Sequence, residues 1–149
     1  MDERREDGGL RLQIITPRGI KFDRRAKAVI FRCIDGDMGI LPRHEAASVV
    51  VGDGILRILP QEDAPEERIA VFGGVATVEN DTIQLLTSIA QRPEEIDLAR
   101  AERDREEMER VLLEKEERED DAEMQTYQFL LRRALVRIEV STYMQDDEE

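Results

Sequence analysis

The stretch RIAVFGGVATVENDTIQLL, Arg68 to Leu86, decides the class of the first part of the chain. It holds three short apolar runs, Arg68–Phe72, Val75–Glu79 and Thr82–Leu86. Gly73-Gly74 separates the first pair and Glu79-Asn80-Asp81 the second. Short runs bounded by Gly and by Asn or Asp read as strands joined by turns. Upstream, Leu10, Leu12 and Ile14 alternate with Arg11, Gln13 and Ile15, the period of a half-buried strand. Thr16-Pro17-Arg18-Gly19 then turns the chain. Ala28–Cys33 reads as a strand with Val29, Phe31 and Cys33 on one face. Asp35-Gly36-Asp37-Met38-Gly39 reads as a tight turn, with Gly supplying positive φ. Ala46–Val51 and Gly54–Leu59 add two strands, bounded by Gly52-Asp53-Gly54 and the Pro60–Glu67 loop. Many short strands at close spacing indicate a sandwich or barrel, and two small sheets packed face to face can share one core.

The composition changes at Pro93. Residues 1–92 carry 13 basic and 15 acidic side chains, whereas residues 93–149 carry 9 and 20. The last 57 residues contain no Gly, which permits long helices. The expected division is therefore 1–92 as a β domain and 93–149 as a helical hairpin with an acidic tail. Pro93 suits a first helical turn, and Glu94, Glu95 and Asp97 face the positive end of the helix dipole. Ile96, Leu98, Ala101, Met108, Val111 and Leu112 make a weak apolar stripe that Arg105 interrupts. Glu116–Asp121 is the expected turn. A second helix is expected from about Ala122 to Thr142, with Met124, Tyr127, Leu131, Ala134, Leu135 and Ile138 at helical spacing. The two helices differ in charge, which favours antiparallel packing. Gln145–Glu149 reads as a disordered acidic tail.

The whole chain bounds the function. Its 149 residues hold 22 Lys plus Arg against 35 Asp plus Glu, a net charge of −13. That balance argues against nonspecific nucleic-acid binding and against adhesion to an anionic membrane. No apolar run approaches the ~18 residues of a membrane span, so no direct membrane insertion is expected. Met1–Gly9 is charged, resembles neither a signal peptide nor a transit peptide, and points to a soluble protein in a reducing compartment.

Catalytic chemistry has few candidates. His44, the one imidazole, follows Leu41-Pro42-Arg43 and reads as a loop histidine with a structural or interface role rather than a base. Cys33, the one cysteine, alternates with Phe31 and reads as a small buried hydrophobe. The carboxylates of residues 94–123 follow helical surface spacing. No phosphate loop and no metal-ligand spacing is present. The residues describe a non-enzymatic module of β + α class.

In order along the chain, five segments resemble one family. Leu10–Pro17 is similar to an opening strand that ends in Thr-Pro, and Asp35–His44 to the signature G-x-x-G-x-L-P-G-H. Gly52–Ile58 is similar to P-G-x-L-R-I, Phe72–Val78 to S-G-G-F-x-E-V, and Glu95–Ala101 to I-D-x-x-R-A. The family is the ε subunit of bacterial F-type ATP synthase, counterpart of the mitochondrial δ subunit. Three departures stand out: Arg43 where the family has Gly, Asp53 in place of Pro, and Gln91 where ATP-binding relatives carry Glu.

The resemblance implies an N-terminal β-sandwich of about ten strands and a C-terminal antiparallel α-helical hairpin. It implies a non-catalytic rotor-stalk subunit that links the γ subunit to the c-ring and couples proton or sodium flow to ATP synthesis. Catalytic residues are then expected on other subunits. By position, Asp37, Arg43 and His44 are the implied c-ring contacts. Arg132, Arg133 and Arg137 are the implied contacts to the β and α subunits when the hairpin extends and inhibits hydrolysis. No cofactor is required, but Ile96, Asp97, Arg100, Ala101, Arg105 and Arg133 match or flank a motif that binds regulatory ATP with Mg in some relatives. An ATP-sensing module is the alternative. The implied location is peripheral, on the cytoplasmic face of a bacterial plasma membrane.

Overall fold

The computed structural model describes residues 9–116 and 121–147, with side chains for 9–115 and 122–143. Eight strands come first: β1 (Leu10–Thr16), β2 (Gly19–Ala26), β3 (Ala28–Cys33), β4 (Gly36–Ile40), β5 (Ala47–Leu59), β6 (Glu67–Glu79), β7 (Thr82–Leu86) and β8 (Ala90–Gln91). A 3-10 turn (Pro93–Glu95) and two helices follow, α1 (Leu98–Glu116) and α2 (Asp121–Asp147). The chain separates into two compact units, Met1–Gln91 and Arg92–Glu149.

Hydrogen bonds join the strands in the order β2-β1-β7-β6-β5-β3-β4, with β8 on β6. β1 and β7 run parallel, and the other pairs are antiparallel. One core draws on every strand, with Leu12, Phe22, Phe31, Ile40, Leu56, Val71, Leu85 and Ala90 among its members. The sheet folds over this core as a β-sandwich.

The fold-over is local to two long strands. In β5 the buried positions change parity, from Val51 to Gly54, Leu56 and Ile58. In β6, Ile69 and Val71 face the core before the corner and Ala76 and Val78 after it. Pairing of the two strands continues through the corner, from Leu56 with Ile69 to Val51 with Gly74. Gly73 (φ 78°) and Gly74 (φ 138°) leave the β region there, which breaks the two-residue alternation and lets one ribbon serve both layers.

This corner corrects the strand count from about ten to eight. Gly52-Asp53-Gly54 and Gly73-Gly74 are bends inside β5 and β6, not turns between separate strands. Two further corrections concern hairpins. The turn after β3 is Ile34-Asp35, and Gly36–Ile40 is a strand paired with β3 rather than part of the turn. β2, an edge strand with Phe22 and Ala26 as its buried residues, and β8 are additional to the expected strands.

An ion-paired cluster lies where β5 and β6 meet the Pro60–Glu66 loop. Arg57 and Arg68 are directly opposed across the strands, a repulsive arrangement. Glu66 offsets it: Arg57 donates two hydrogen bonds to its carboxylate at 3.0 and 2.7 Å, and Arg68 a third at 2.8 Å. Hydrogen bonding from Arg57 holds the Glu66 carboxyl below its usual range; partial burial opposes this and Arg68 reinforces it. A depressed folded-state pKa adds stability above the unfolded value, and that stability is lost as pH falls through the folded value. Glu66→Gln is therefore expected to cost about 1 kcal/mol at neutral pH, a half-exposed cluster contributing less than a buried one. Urea titrations should show the difference from wild type shrinking below about pH 4.5. A difference that stays constant down to acid pH would contradict the assignment.

The helical unit begins differently from expectation. Pro93–Glu95 is a 3-10 turn, and the α-helix starts at Leu98. Asp97 caps it: its Oδ1 accepts from the Arg100 N–H at 3.1 Å, and its carbonyl from the Ala101 N–H at 3.0 Å. Such a cap contributes about 0.5–2 kcal/mol. Ala101, Arg105, Met108, Leu112 and Lys115 recur at three- and four-residue steps, as do Met124, Tyr127, Leu131, Ala134 and Ile138 on α2, and all are buried or half-buried. The helices pack on each other. Lys115 pairs with Glu123 and lies 5.4 Å from the Tyr127 ring centre, joining the end of α1 to the start of α2.

Leu135 is 45% exposed, contrary to its place in the expected stripe. Val136 and Val140 are buried instead, about 160° and 120° around the helix from Ala134, so α2 has two buried faces. The second helix also runs to Asp147, so Gln145–Asp147 are helical rather than a disordered tail. Glu148 and Glu149, and residues 117–120 of the expected turn, lie outside the described residues.

Candidate partner interface

The sheet register gathers five apolar side chains that are distant in sequence. Ile15 pairs with Ile20 of β2 and with Leu86 of β7. Leu86 pairs with Val75, and Val75 with Val50. Paired residues share a face, so these side chains form one row across five strands, about 19 Å long. Four of the five are open to solvent, Ile20 at 62% exposure, Leu86 at 51%, Val75 at 45% and Val50 at 54%, and Ile15 between them is half-buried. The neighbouring row on the same face is polar, with Gln84 donating to Gln13 at 3.1 Å and Gln13 to Asp23 at 3.2 Å. Arg11 completes that network with hydrogen bonds of 3.0 and 2.9 Å to the Asp23 carboxylate, which they hold below its usual pKa. Single exposed apolar residues are ordinary, whereas a continuous row with a polar border marks an interaction surface.

The loop signature residues occupy two places. Asp37 is exposed near the start of β4, with Arg32 of β3 opposite it. Arg43 and His44 lie beyond the other end of that strand. Asp37 and Arg43 are six steps apart along the chain, up to about 20 Å when extended. Arg43 has φ 68°, a left-handed conformation that glycine adopts without strain, which explains why the family signature has Gly there. Its N–H donates to Asp81 Oδ1 at 2.6 Å. Pro42, Arg43 and His44 line an open cleft with Glu79, Asn80 and Asp81. His44 Nδ1 donates to the Glu45 carbonyl at 2.7 Å, which orients the ring. Cys33 is half-buried against the core, and burial, with Asp35 and Asp37 nearby, pushes its thiol pKa up, which disfavours the thiolate. Among the described residues no group of three or more His, Cys, Asp or Glu could hold a metal ion.

The residues of the nucleotide motif are dispersed within the helical unit. Asp97 is engaged as the helix cap, Ile96 is half-buried and Ala101 is buried. Arg100 and Arg105 leave α1 about 140° apart. Arg105 is half-buried, and its Nε has no hydrogen-bond partner among the described residues. Arg133 stacks over the Phe129 ring at 4.3 Å. Of the α2 arginines, Arg133 and Arg137 are one turn apart on a common side, and Arg132 is exposed on another.

A β-sandwich with an open apolar row, followed by a two-helix hairpin, defines a two-part assembly subunit built to hold partners. The chain belongs to the delta/epsilon-chain family of ATP synthase. The family's beta-sandwich domain matches residues 9–93, and its long alpha-helix domain matches residues 94–142. This makes it a subunit of the ATP synthase central stalk. Among solved structures, a chain in the Euglena gracilis mitochondrial ATP synthase (OSCP/F1/c-ring in rotational state 1) is similar with a TM-score of 0.64 at 20% identity, over 95% of this chain and 82% of that one. A chain in the central stalk/c-ring of the Tetrahymena thermophila mitochondrial ATP synthase gives a TM-score of 0.51 at 14% identity, over 59% of this chain and 69% of that one. At these identities the likeness is one of fold.

Proposed function

We propose that the sandwich forms the foot of the rotor, fixed to the γ shaft through the row Ile20-Ile15-Leu86-Val75-Val50 and to the c-ring through the loops carrying Asp37, Arg43 and His44. The observation that carries this reading is the row itself, apolar, continuous and exposed at four of its five members. Coupling proton or sodium flow to ATP synthesis needs a joint that transmits torque, and apolar burial in a packed patch supplies the adhesion. The loop contacts are polar and exposed, so they set register more than strength. Catalytic residues belong to other subunits in this reading. No helix among the described residues is long and apolar enough to cross a membrane, and the proposed placement is peripheral, at the cytoplasmic face of a bacterial membrane.

The hairpin is proposed as a brake on ATP hydrolysis. Its seam carries Arg105, half-buried with no hydrogen-bond partner for Nε among the described residues, so a second docking that satisfies this group would compete with the first. Arg133 and Arg137 then provide the basic face for an acidic partner surface on the β subunits. The test is add-back to a catalytic head depleted of this subunit, comparing the full chain with a truncation ending at Arg92. The sandwich has its own core, so both are expected to bind in gel filtration. Slower hydrolysis with the full chain alone identifies residues 93–149 as the brake. Equal hydrolysis with both confines the role to coupling, and failure of both to bind overturns the stalk reading.

A further inference from the structure

Among the described residues, three non-glycine positions take left-handed backbone conformations, and they meet at one corner of the sandwich. They are Arg43 (φ 68°), Asn80 (φ 50°) and Asp81 (φ 59°). Asn80-Asp81 is the two-residue turn between β6 and β7, closed by the pair Glu79 and Thr82. Such turns favour Asn-Gly, because both central residues need positive φ. Asp81 therefore occupies a position where glycine is the less strained choice, and so does Arg43. The two strained residues are joined: the Arg43 N–H donates to Asp81 Oδ1 at 2.6 Å. Asp81 is anchored on its other side by its carbonyl, which accepts from the Arg11 N–H of β1 at 2.8 Å. Non-glycine left-handed residues persist where surrounding contacts hold them, and they concentrate at functional sites.

We infer that Asp81 is a positioning residue for the loop Leu41–His44, its carboxylate holding Arg43 in the left-handed conformation and so fixing how that loop is presented to its partner. The turn is tied to β1 and the carboxylate is tied to the turn, so a charge-assisted hydrogen bond passes the rigidity of the sheet to the loop. Leu41, 61% exposed, and the side chains of Arg43 and His44 project from this clamped segment. The inference rests on the proposal that this loop meets the c-ring. It adds a residue outside the loop that sets the loop's geometry, and it explains how a non-glycine residue is accommodated at position 43.

The test uses the full chain as Asp81→Gly, Arg43→Gly and the double variant, with purified c-ring in detergent as the binding partner. Asp81→Gly creates an Asn-Gly turn, so its melting temperature is expected to equal or exceed that of wild type. Hydrogen exchange at the Arg43 amide, read by NMR on the free chain, should accelerate about tenfold or more, and c-ring affinity should fall about tenfold. On the Arg43→Gly background, where the backbone needs less holding, adding Asp81→Gly should change affinity less than about twofold. Unchanged exchange at Arg43 overturns the inference whatever the c-ring does. So do equal losses of affinity on both backgrounds, or a fall in melting temperature that tracks the affinity loss, because each describes a merely structural aspartate. If the wild-type chain fails to bind the c-ring while Arg43 exchange responds as expected, the clamp stands and the c-ring assignment of the loop falls.

Discussion

Gly74→Ala is expected to cost the sandwich about 2–6 kcal/mol, the sum of backbone strain and a steric overlap. The backbone at this position has φ 138°, a region essentially closed to residues with a Cβ. An added Cβ would lie 2.4 Å from the Leu86 carbonyl oxygen and 3.1 Å from the Thr87 Cβ. A carbonyl held in a sheet cannot move aside as a flexible side chain can. Relief would separate β6 from β7 at the pair Val75 and Leu86, next to the corner. Small domains have only about 5–15 kcal/mol in total, so this one methyl group threatens the fold. Gly36→Ala is the control. Gly36 also has positive φ, 122°, but a Cβ there meets nothing within 4 Å, so strain alone is expected, about 1–3 kcal/mol. Urea titration followed by circular dichroism near the strand minimum should rank the two variants in that order. A Gly74→Ala chain no less stable than Gly36→Ala would show that the corner relaxes and that β6 does not need glycine to turn.

The same corner shows where sequence reading succeeds and where it stops. The alternations that identify β1, β3 and β7 are strong because one face of each is buried and the other is wet. Gly73-Gly74 announces an interruption, and sequence alone cannot distinguish a turn between two strands from a bend within one. The distinction lies in pairing with β5, which continues on both sides. β4 was hidden for a related reason. Gly36-Asp37-Met38-Gly39-Ile40 has the composition of a turn, and it becomes a strand because β3 offers a partner edge, with tertiary pairing overriding weak local propensity. On α2 a single stripe is the natural reading of apolar spacing. It selects Leu135 and misses Val136 and Val140, because a helix buried on two faces has no single phase. For the site, His44 and Arg43 are visible through the loop signature and Asp97 as an acid in an expected first helical turn, whereas its role as the cap of a helix beginning at Leu98 is not. Nor are Asp81 and the apolar row. Val50, Val75, Leu86, Ile15 and Ile20 each look like ordinary strand residues, and only the register places them side by side.

Leu86→Glu is expected to weaken binding to the γ-containing catalytic head by about 100-fold or more, while leaving the chain folded. Leu86 is central in the row, with Val75 on one side and Ile15 on the other. If a helical or sheet surface of the shaft covers it, burying the exposed half of the wild-type leucine contributes about 0.8–1.5 kcal/mol. A carboxylate in its place loses that contribution and must also give up its hydration against an apolar surface, a larger cost. In the free chain the side chain is 51% exposed, so the substitution forgoes only cross-strand packing there, about 0.2–1 kcal/mol. Val75→Glu should behave alike, because it is the next member of the row. Gln84→Glu, on the same strand but in the polar row, adds the same charge two residues away and is expected to change affinity less than about threefold. This comparison separates lost apolar adhesion from a general effect of acidity on a chain already at −13. Gel filtration and titration against the depleted head measure all three variants, with melting curves to confirm folding. If folded Leu86→Glu and Val75→Glu bind as wild type does, the row is not the seat of the shaft. Torque would then have to pass through the exposed polar loops alone. Contacts of that kind contribute about 0–1 kcal/mol each, too little to keep a stalk joined under load without the apolar patch.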